Sequence, residues 1–425
     1  MYANRLKDRR AVYLRGQRVD VSSEPSFKGV LAELGRLRTI GGTPYALPRT
    51  REELTAWRQA AETWAEESWG LLINTPDYMA SAVIGLYDTG LPNAAAYYKH
   101  AAADNLAVAH AIPDPMAERS SLYHGQEPQT PFEFDGETLT GILPLVPMAP
   151  LADEVLVMTP QVWCAVPLSA RGLKVLCSET LSAYAEDETH PFAYSYNEPD
   201  ATLFFDGVRV PEDQVFLAND ASRHEEALDR VRTWCSYSAN IRTYRYLWTI
   251  VGVATMMAEA AGVDVQRGMR DKLGEIIIYP ELFKSALVGS ELEAEPTSGG
   301  LMAPTGGLAL TAFAEQYGRR ILDVVREIGA AGLVQQVSEA DLENPDLRPH
   351  IDQYMASEAF SASEKARLYR LAWDLLGDGG GSRKELYERW LRGDIMRTRN
   401  QLYVNYDRAK LVERITDMVS RPLPV

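Results

Sequence analysis

Two side chains that could hold or ionise a substrate, Tyr78 and His110, stand in contrasting surroundings. Tyr78 follows Thr75-Pro76-Asp77, and Pro76 ends any preceding helix because it lacks an amide hydrogen. His110 closes an apolar run that begins at Leu106. A phenol hydroxyl and an imidazole can together bind or exchange a proton with a polar group. The alternatives are a capped helix corner and a satisfied core histidine, and these two residues alone do not separate the interpretations.

The elements that must hold Tyr78 are two helices joined at a break. Thr50, with Glu53 three residues later, forms a capping-box signal for the first helix, whose apolar positions recur at helical spacing as far as Ser68. Thr75 or Asp77 can cap the second helix. We call residues 68–80, which include Asn74, the elbow. We expect the elbow to present polar groups at a fixed position.

Composition excludes several classes of partner. The 425 residues include 43 Lys and Arg against 59 Asp and Glu, a net charge of −16, which disfavours nucleic acid and anionic membranes. No apolar run approaches the roughly 18 residues that span a bilayer, and the N-terminus has no signal-peptide pattern, so we expect a cytoplasmic protein. Three scattered cysteines and no His-Glu-x-x-His string predict no metal site.

The periodicity changes twice along the chain. Residues 1–113 show helical spacing and predict an α domain, whereas residues 114–228 contain short β-branched and aromatic runs between turns and predict a β domain of barrel or sandwich type. Residues 229–425 return to long helical segments, which are typical of a helix bundle. The fold class predicted is α+β, mostly α.

A glycine-rich run, Gly377-Asp378-Gly379-Gly380-Gly381, precedes Ser382 and Glu385, which resemble a second capping box. We call residues 377–388 the glycine segment. Free amides and Arg383 at such a loop suit a phosphate. A flexible linker is the alternative, because no Gly-Lys-Ser/Thr follows.

Several short strings occur in an order that resembles the oxygenase component of the 4-hydroxyphenylacetate 3-hydroxylase family, whose fold is acyl-CoA dehydrogenase-like. The resemblance implies that reduced FAD binds between the β domain and the helical bundle, reacts with oxygen and hydroxylates a phenol. It also implies a separate flavin reductase and a homodimer or homotetramer. The strings are Thr75-Pro76-Asp77-Tyr78, His110-Ala111-Ile112-x-Asp114-Pro115, Asp206-Gly207-Val208-x-Val210-Pro211-Glu212, Lys272-Leu273-Gly274-Glu275, Ile351-Asp352-Gln353-Tyr354 and Arg383-x-Glu385-Leu386-Tyr387-Glu388 with Gly393-Asp394.

The same resemblance assigns roles to residues. Tyr78 and His110 match positions that hold the phenolic oxygen. Matches to the FAD site are Arg119, Ser382, Arg383, Gly393 and Asp394.

Three departures from the family pattern bear on the chemistry. The usual arginine before Thr75 is Asn74, which removes a cation. The segment Val146–Pro150 contains two prolines where the family contacts the flavin ring, and the loop at residues 183–190 carries three acidic residues where the family binds a substrate carboxylate.

These departures lead us to expect a redox-neutral enzyme. The expected reaction closes or rearranges rings, as cyclases and pericyclases do, on a bulky, polyketide-like substrate, with Tyr78, His110 and Asn74 as catalytic residues and FAD not necessarily bound. The residues expected to bind this substrate are Leu145, Met148, Tyr194 and Tyr196. The first alternative is a reduced-FAD-dependent aromatic hydroxylase, and the second is a catalytically silent subunit.

Overall fold

A computed structural model of the chain describes residues 2–111, 132–179, 189–391 and 395–420. Residues 2–111 contain four α-helices, at Lys28–Leu37 (α1), Arg51–Glu67 (α2), Pro76–Asp88 (α3) and Ala94–Ala103 (α4). The capping box at Thr50 and Glu53 is present, and Pro76 occupies the first turn of α3. The predicted break between the two helices of the elbow is therefore confirmed.

Two sheets form the β unit. The six-stranded sheet has the order β2-β1-β8-β9-β5-β4, and the four-stranded sheet has the order β10-β7-β6-β3. The strands are Ala11–Leu14 (β1), Gln17–Val19 (β2), Val108–Ala111 (β3), Phe132–Phe134 (β4), Thr138–Pro147 (β5), Glu154–Met158 (β6), Val162–Pro167 (β7), Leu173–Cys177 (β8), Asp200–Arg209 (β9) and Val215–Ala218 (β10).

Strands from the N-terminal segment complete both sheets. β1 pairs in parallel with β8, and β3 pairs in parallel with β6. His110 therefore lies on a strand and not at the end of a helix, as its apolar run suggests. The prediction failed because short apolar runs have the same composition in buried strands and buried helices.

The C-terminal half is built on the 40-residue helix Ala221–Ala260 (α6), about 60 Å long at 1.5 Å per residue. It packs against α2, α3 and two further long helices, Arg267–Leu292 (α7) and Gly307–Gly329 (α8). Shorter helices are Pro191–Tyr196 (α5), Glu339–Glu343 (α9), Arg348–Met355 (α10), Ala362–Leu376 (α11), Gly379–Leu386 (α12), Ile395–Asn405 (α13) and Ala409–Ser420 (α14).

Two large apolar cores result. One joins α2, α3 and α6 through residues such as Trp57 and Trp234, and the other fills the β unit and the underside of α1. Within the described residues, no helix combines the length and apolar character needed to cross a membrane.

Candidate active site

The elbow is a tight junction pressed against α6. Helix α2 ends at Ser68, and the next two residues, Trp69 and Gly70, have φ of 57° and 68°. A Cβ on Gly70 would lie 2.2 Å from the backbone nitrogen of Tyr246 on α6. Glycine is thus required twice here, because its φ is positive and because the two backbones approach closely.

Glu198 holds the far side of the elbow. This residue is 1% exposed, and its carboxylate accepts hydrogen bonds from the backbone amides of Ile73 (3.1 Å) and Asn74 (2.6 Å) and from the Asn74 side chain (3.2 Å). Burial raises the pKa of Glu198. Asn74 therefore donates both its backbone amide and its side-chain amide to Glu198, and these hydrogen bonds position the elbow.

Tyr78 and His110 meet beside the elbow, as the resemblance implies. Their ring centroids are 5.3 Å apart, and both side chains are half-buried although their neighbours Asp77, Met79 and Ala111 are buried. An aromatic pair that remains partly accessible in such surroundings can contact a ligand.

His110 is neutral near pH 7. Its Nε2 lies 3.3 Å from the backbone carbonyl oxygen of Met79, and burial lowers its pKa to about 4. Because a carbonyl oxygen only accepts, Nε2 carries the proton in this hydrogen bond and Nδ1 is the ring's acceptor.

Helix α6 supplies two polar contacts one turn apart. Ser238 donates to the buried carboxylate of Asp77 (2.5 Å), and Arg242 donates from Nη1 to the carbonyl oxygen of Ile73 (2.8 Å). The Arg242 ζ carbon lies 5.5 Å from the centroid of the Tyr78 ring. A buried cation thus faces the catalytic tyrosine expected from the sequence.

The glycine segment contributes a counter-ion to this cation. Glu388 Oε1 lies 2.8 Å from Arg242 Nη2 and 2.9 Å from Lys384 Nζ. Burial lowers the pKa of Lys384 to about 8, with Glu388 opposing the change. Tyr387 shares a side-chain hydrogen bond with Tyr78, and burial raises its pKa. One carboxylate is therefore shared by two buried cations next to Tyr78.

The glycine run is neither a loop nor a flexible linker, because Gly379–Gly381 form the first turn of α12, with Asp378 as its cap. Binding of a phosphate here stays a prediction. The glycines permit close packing, since a Cβ on Gly381 would lie 2.2 Å from the carbonyl oxygen of Leu375. The Asp378 carboxylate accepts from the amide of Gly379 (2.6 Å) and would repel a phosphate. Ser382 lies inside the helix and is exposed, so it does not begin a helix.

The other residues expected to bind FAD divide into two groups. Arg383 forms a bidentate ion pair with Asp200, with Nε to Oδ2 at 2.8 Å and Nη2 to Oδ1 at 2.7 Å. Outside the described residues lie Arg119, Gly393, Asp394 and most of the acidic loop at 183–190.

A pocket lies between α5 and α12. Leu71, Phe192 and Tyr196 give it an apolar wall, and Lys384 and Asp374 give it charge. Asp374 Oδ2 accepts from the amides of Phe192 (2.6 Å) and Ala193 (3.0 Å), and its buried Oδ1 has no partner in the described part of the chain. Burial raises the pKa of Asp374 to about 6.

The four residues expected to bind substrate are dispersed. Tyr196 lines the pocket, and Tyr194 lies beside it on α5. Met148 is fully buried in the core of the β unit, and its amide donates to the carbonyl oxygen of Pro199 (2.8 Å). Leu145 is 38% exposed with φ of 57°. Binding of substrate by these residues remains a prediction, and the burial of Met148 gives it no support there.

Several residues of this site carried no role in the sequence analysis. Ser238 and Arg242 are polar residues four apart on a helix whose intervening Ile241 is buried, a pattern that marks a polar contact within an apolar face. Lys384 and Glu388 repeat the four-residue spacing. No local pattern identifies Glu198 and Asp200, because their partners lie far away in the chain.

Comparisons with known proteins identify the family of this chain. The family model described as 4-hydroxyphenylacetate 3-hydroxylase N terminal matches residues 39–217, and the C-terminal model matches residues 229–420. The chain belongs to the 4-hydroxyphenylacetate 3-hydroxylase family. The resemblance seen in the sequence is thereby confirmed.

Relatives of this family match over nearly their whole length. The 4-hydroxyphenylacetate 3-monooxygenase oxygenase component of Thermus thermophilus is 30% identical, with 97% of this chain and 95% of the relative covered. A crystal structure of such a component complexed with FAD and 4-hydroxyphenylacetate is 27% identical, with a TM-score of 0.91 and coverage of 98% and 97%. The chain is thus similar to a flavin-dependent monooxygenase component, which identifies FAD as a possible cofactor.

A more distant structure shows the fold alone. Glutaryl-coenzyme A dehydrogenase, 14% identical, aligns with a TM-score of 0.51 over 84% of this chain and 85% of that one. The predicted acyl-CoA dehydrogenase-like fold is confirmed.

Proposed function

We propose that this protein is the oxygenase component of a two-component monooxygenase that hydroxylates a phenol with reduced FAD and oxygen. The observation that carries the proposal is the half-buried pair of Tyr78 and neutral His110, faced by the Arg242 cation. This arrangement suits an oxygen atom bound to an aromatic ring, because it offers a hydroxyl, an imidazole acceptor and a positive charge together.

His110 acts as a hydrogen-bond acceptor in this proposal. A phenol has a pKa of about 10, and the pKa of His110 is about 4. A full proton transfer to Nδ1 would be uphill by about six pKa units, or ~8 kcal/mol. His110 therefore orients the phenol hydroxyl, and Tyr78 provides a second contact to the same oxygen.

The pocket between α5 and α12 fits FAD in part. Its apolar wall of Leu71, Phe192 and Tyr196 suits a flat ring, and the unpartnered Asp374 Oδ1 can accept from a hydroxyl or ring N–H. Lys384 would hold an acceptor of the ring system. When bound in reduced form, FAD supplies the two electrons that, with O2, place one oxygen atom on the substrate and release the other as water.

The redox-neutral ring-forming reaction is a weaker candidate. Its main argument is that Asn74 replaces a cation, and Arg242 now supplies a cation to the same tyrosine. The prolines of the segment Val146–Pro150 still favour it, because a proline nitrogen cannot donate to a flavin. A requirement for oxygen separates the two candidates.

Two partners accompany the proposed function. A separate reductase would supply reduced FAD, as the words "oxygenase component" imply for the relatives. A second copy of the chain would cover α14, an amphipathic helix whose apolar side chains are all exposed in the single chain: Leu411, Val412, Ile415, Met418 and Val419. Ile415→Asp should lower the mass measured by light scattering, and Thr416→Asp on the same helix should not.

In the direct test, purified protein is mixed with chemically reduced FAD, oxygen gas enriched in oxygen-18 and a panel of phenols. We expect a hydroxylated product that carries one heavy oxygen. Tyr78→Phe should lower the rate about 10- to 100-fold by removing a hydrogen bond to the reacting oxygen, whereas Tyr317→Phe, at an exposed position, should not. Turnover of an apolar substrate without oxygen, with no phenol product, would contradict the proposal.

A further inference from the structure

A phenol in this site would require positive charge, and only some of the nearby groups can provide it. Attack by an electrophilic oxygen on an aromatic ring is favoured when the phenol is ionised, because the phenolate donates more electron density to the ring. His110 does not hold the proton, and Asn74 is neutral and hydrogen-bonded to Glu198. The positive charge that stabilises the phenolate must therefore come from another residue.

We propose that Arg242, a residue of α6, binds and stabilises the ionised oxygen of a phenolic substrate beside Tyr78. The inference rests on the proposed function and deepens it. The neutral phenol donates to His110 Nδ1 when it binds. Its O–H bond then breaks, the proton passes to solvent, and the negative charge that remains on oxygen is balanced by the guanidinium of Arg242, with Tyr78 as the hydroxyl donor. No oxidant or reductant takes part in this step.

The position of Arg242 is fixed by the elbow itself. Arg242 is 1% exposed, and its Nη1 donates to the carbonyl oxygen of Ile73, the residue before Asn74. Its guanidinium lies over the Tyr78 ring at 5.5 Å. The cation thus occupies the surroundings of residue 74 although it comes from a helix more than 160 residues later.

The Nε–H of Arg242 remains for a ligand. Nη1 is bound to Ile73 and Nη2 to Glu388, whereas Nε is buried without a hydrogen-bond partner among the described residues. A buried unsatisfied N–H is costly, and an acceptor atom on a ligand would satisfy it. A phenolate oxygen offers that acceptor together with the opposite charge.

The counter-ions leave Arg242 only partly neutralised. Glu388 is shared with Lys384, as the 2.8 Å and 2.9 Å separations show. Glu198 and Asp77 also interact electrostatically with Arg242. Burial raises the pKa of both carboxyl groups. Protonation of either carboxyl group would lower the negative charge around Arg242.

The test measures ionisation of a bound probe, which needs no turnover. 4-Nitrophenol absorbs visible light only as the phenolate, so its pKa in the site is read by titrating the complex with the whole, purified protein. We expect Arg242→Met to raise the pKa of the bound probe by at least one unit, a tenfold fall in its ionisation constant, and Arg242→Lys to retain most of the wild-type value. Arg232→Met, on the surface of the same helix, is the matched control.

The variant Glu388→Gln should shift the pKa of the bound probe in the opposite direction. This change removes the carboxylate that neutralises Arg242, so we expect the pKa of the bound probe to fall below the wild-type value. A merely structural role for Arg242 predicts no such opposed pair. Should Arg242→Met not fold, Arg242→Gln replaces it, since Glu388 keeps Lys384 as its counter-ion.

The outcomes separate the two proposals. Equal pKa values of the probe in wild type and in the Met or Gln variant would overturn the role of Arg242 and leave the hydroxylase proposal standing. Failure of the wild-type protein to bind any phenol would contradict the proposed function and this inference with it.

Discussion

Two carboxylates that lie two residues apart bind the elbow and the glycine segment to the same short segment of chain. Glu198 accepts from neutral donors of the elbow, whereas Asp200 forms an ion pair with Arg383 of the glycine segment. The first carboxylate is 1% exposed, and the second keeps 17% of its side chain accessible. The segment at residues 197–200 therefore joins both halves of the candidate site, through one attachment that is more deeply buried than the other.

Removing the two carboxylates should separate the attachments most clearly. Glu198→Ala leaves two buried backbone amides and the Asn74 side chain without their acceptor, and we expect it to lower the free energy of unfolding by about 4 kcal/mol. Asp200→Ala should cost about 2 kcal/mol, because Arg383 retains some access to water. Chemical denaturation measures both. Equal losses would mean that the two attachments are equivalent.

Two groups beside these segments, His110 next to the elbow and Asp374 just before the glycine segment, have opposite pH dependence. The pKa of His110 is about 4 in the folded protein and about 6.5 in an unfolded chain. Between these values the unfolded state binds more protons, so stability falls as the pH is lowered from about 6.5 to 4, by ~3 kcal/mol in total. His110→Asn should abolish this part of the acid sensitivity, as denaturation midpoints at pH 7.5 and 4.5 would show. An unchanged slope in this variant would contradict the buried neutral imidazole.

A crowded glycine distinguishes the glycine segment from a flexible loop. Gly381→Ala places a Cβ 2.2 Å from the carbonyl oxygen of Leu375, and we expect a loss of about 2 kcal/mol from forced displacement of α12. Gly274→Ala is the control, because this helical glycine of α7 has nothing within 4 Å of the added Cβ, and it should gain about 1 kcal/mol. Thermal unfolding of both variants tests the contrast. A gain for Gly381→Ala would restore the loop interpretation.

The sequence predicts those features whose cause is local. The capping box at Thr50, the break at Pro76 and the strands of the β unit all follow from residues within a few positions of one another, and all are confirmed. The helix start predicted in the glycine segment is wrong because it also rests on a local pattern. Its capping pattern at Ser382 competes with a stronger N-cap at Asp378, whose carboxylate already satisfies the first free amide.

The rest of the site depends on partners distant in the chain. The residue Asn74 leaves the elbow without a cation only when α6 is left out of account, because the tertiary fold brings Arg242 to the carbonyl oxygen of Ile73. Glu198 likewise meets Asn74 across more than 120 residues. Spacing along the chain carries no signal for such pairs, and the family resemblance transfers only positions that match its own motifs. The sequence alone therefore gives no signal that Arg242 lies beside Tyr78.

The smallest expected effect is that of Asp374 on α11, whose pKa shift is opposite in direction to that of His110. Its pKa is about 6, above the ordinary aspartate value of 3.8, so the folded protein binds the proton more readily than the unfolded chain and the ionised carboxylate is a cost at neutral pH. Asp374→Asn keeps an oxygen that accepts from the amides of Phe192 and Ala193 and removes the charge. We expect a gain of about 1 kcal/mol at pH 7.5 that shrinks as the pH falls through about 6 and is smaller at pH 4.5, because the cost of ionising Asp374 in the folded state is lost as the pH approaches 3.8, with exposed Asp213→Asn unchanged at both. A loss at pH 7.5 would mean that the charge itself fastens α5 to α11, and that this side of the pocket depends on an ionised group as the elbow does.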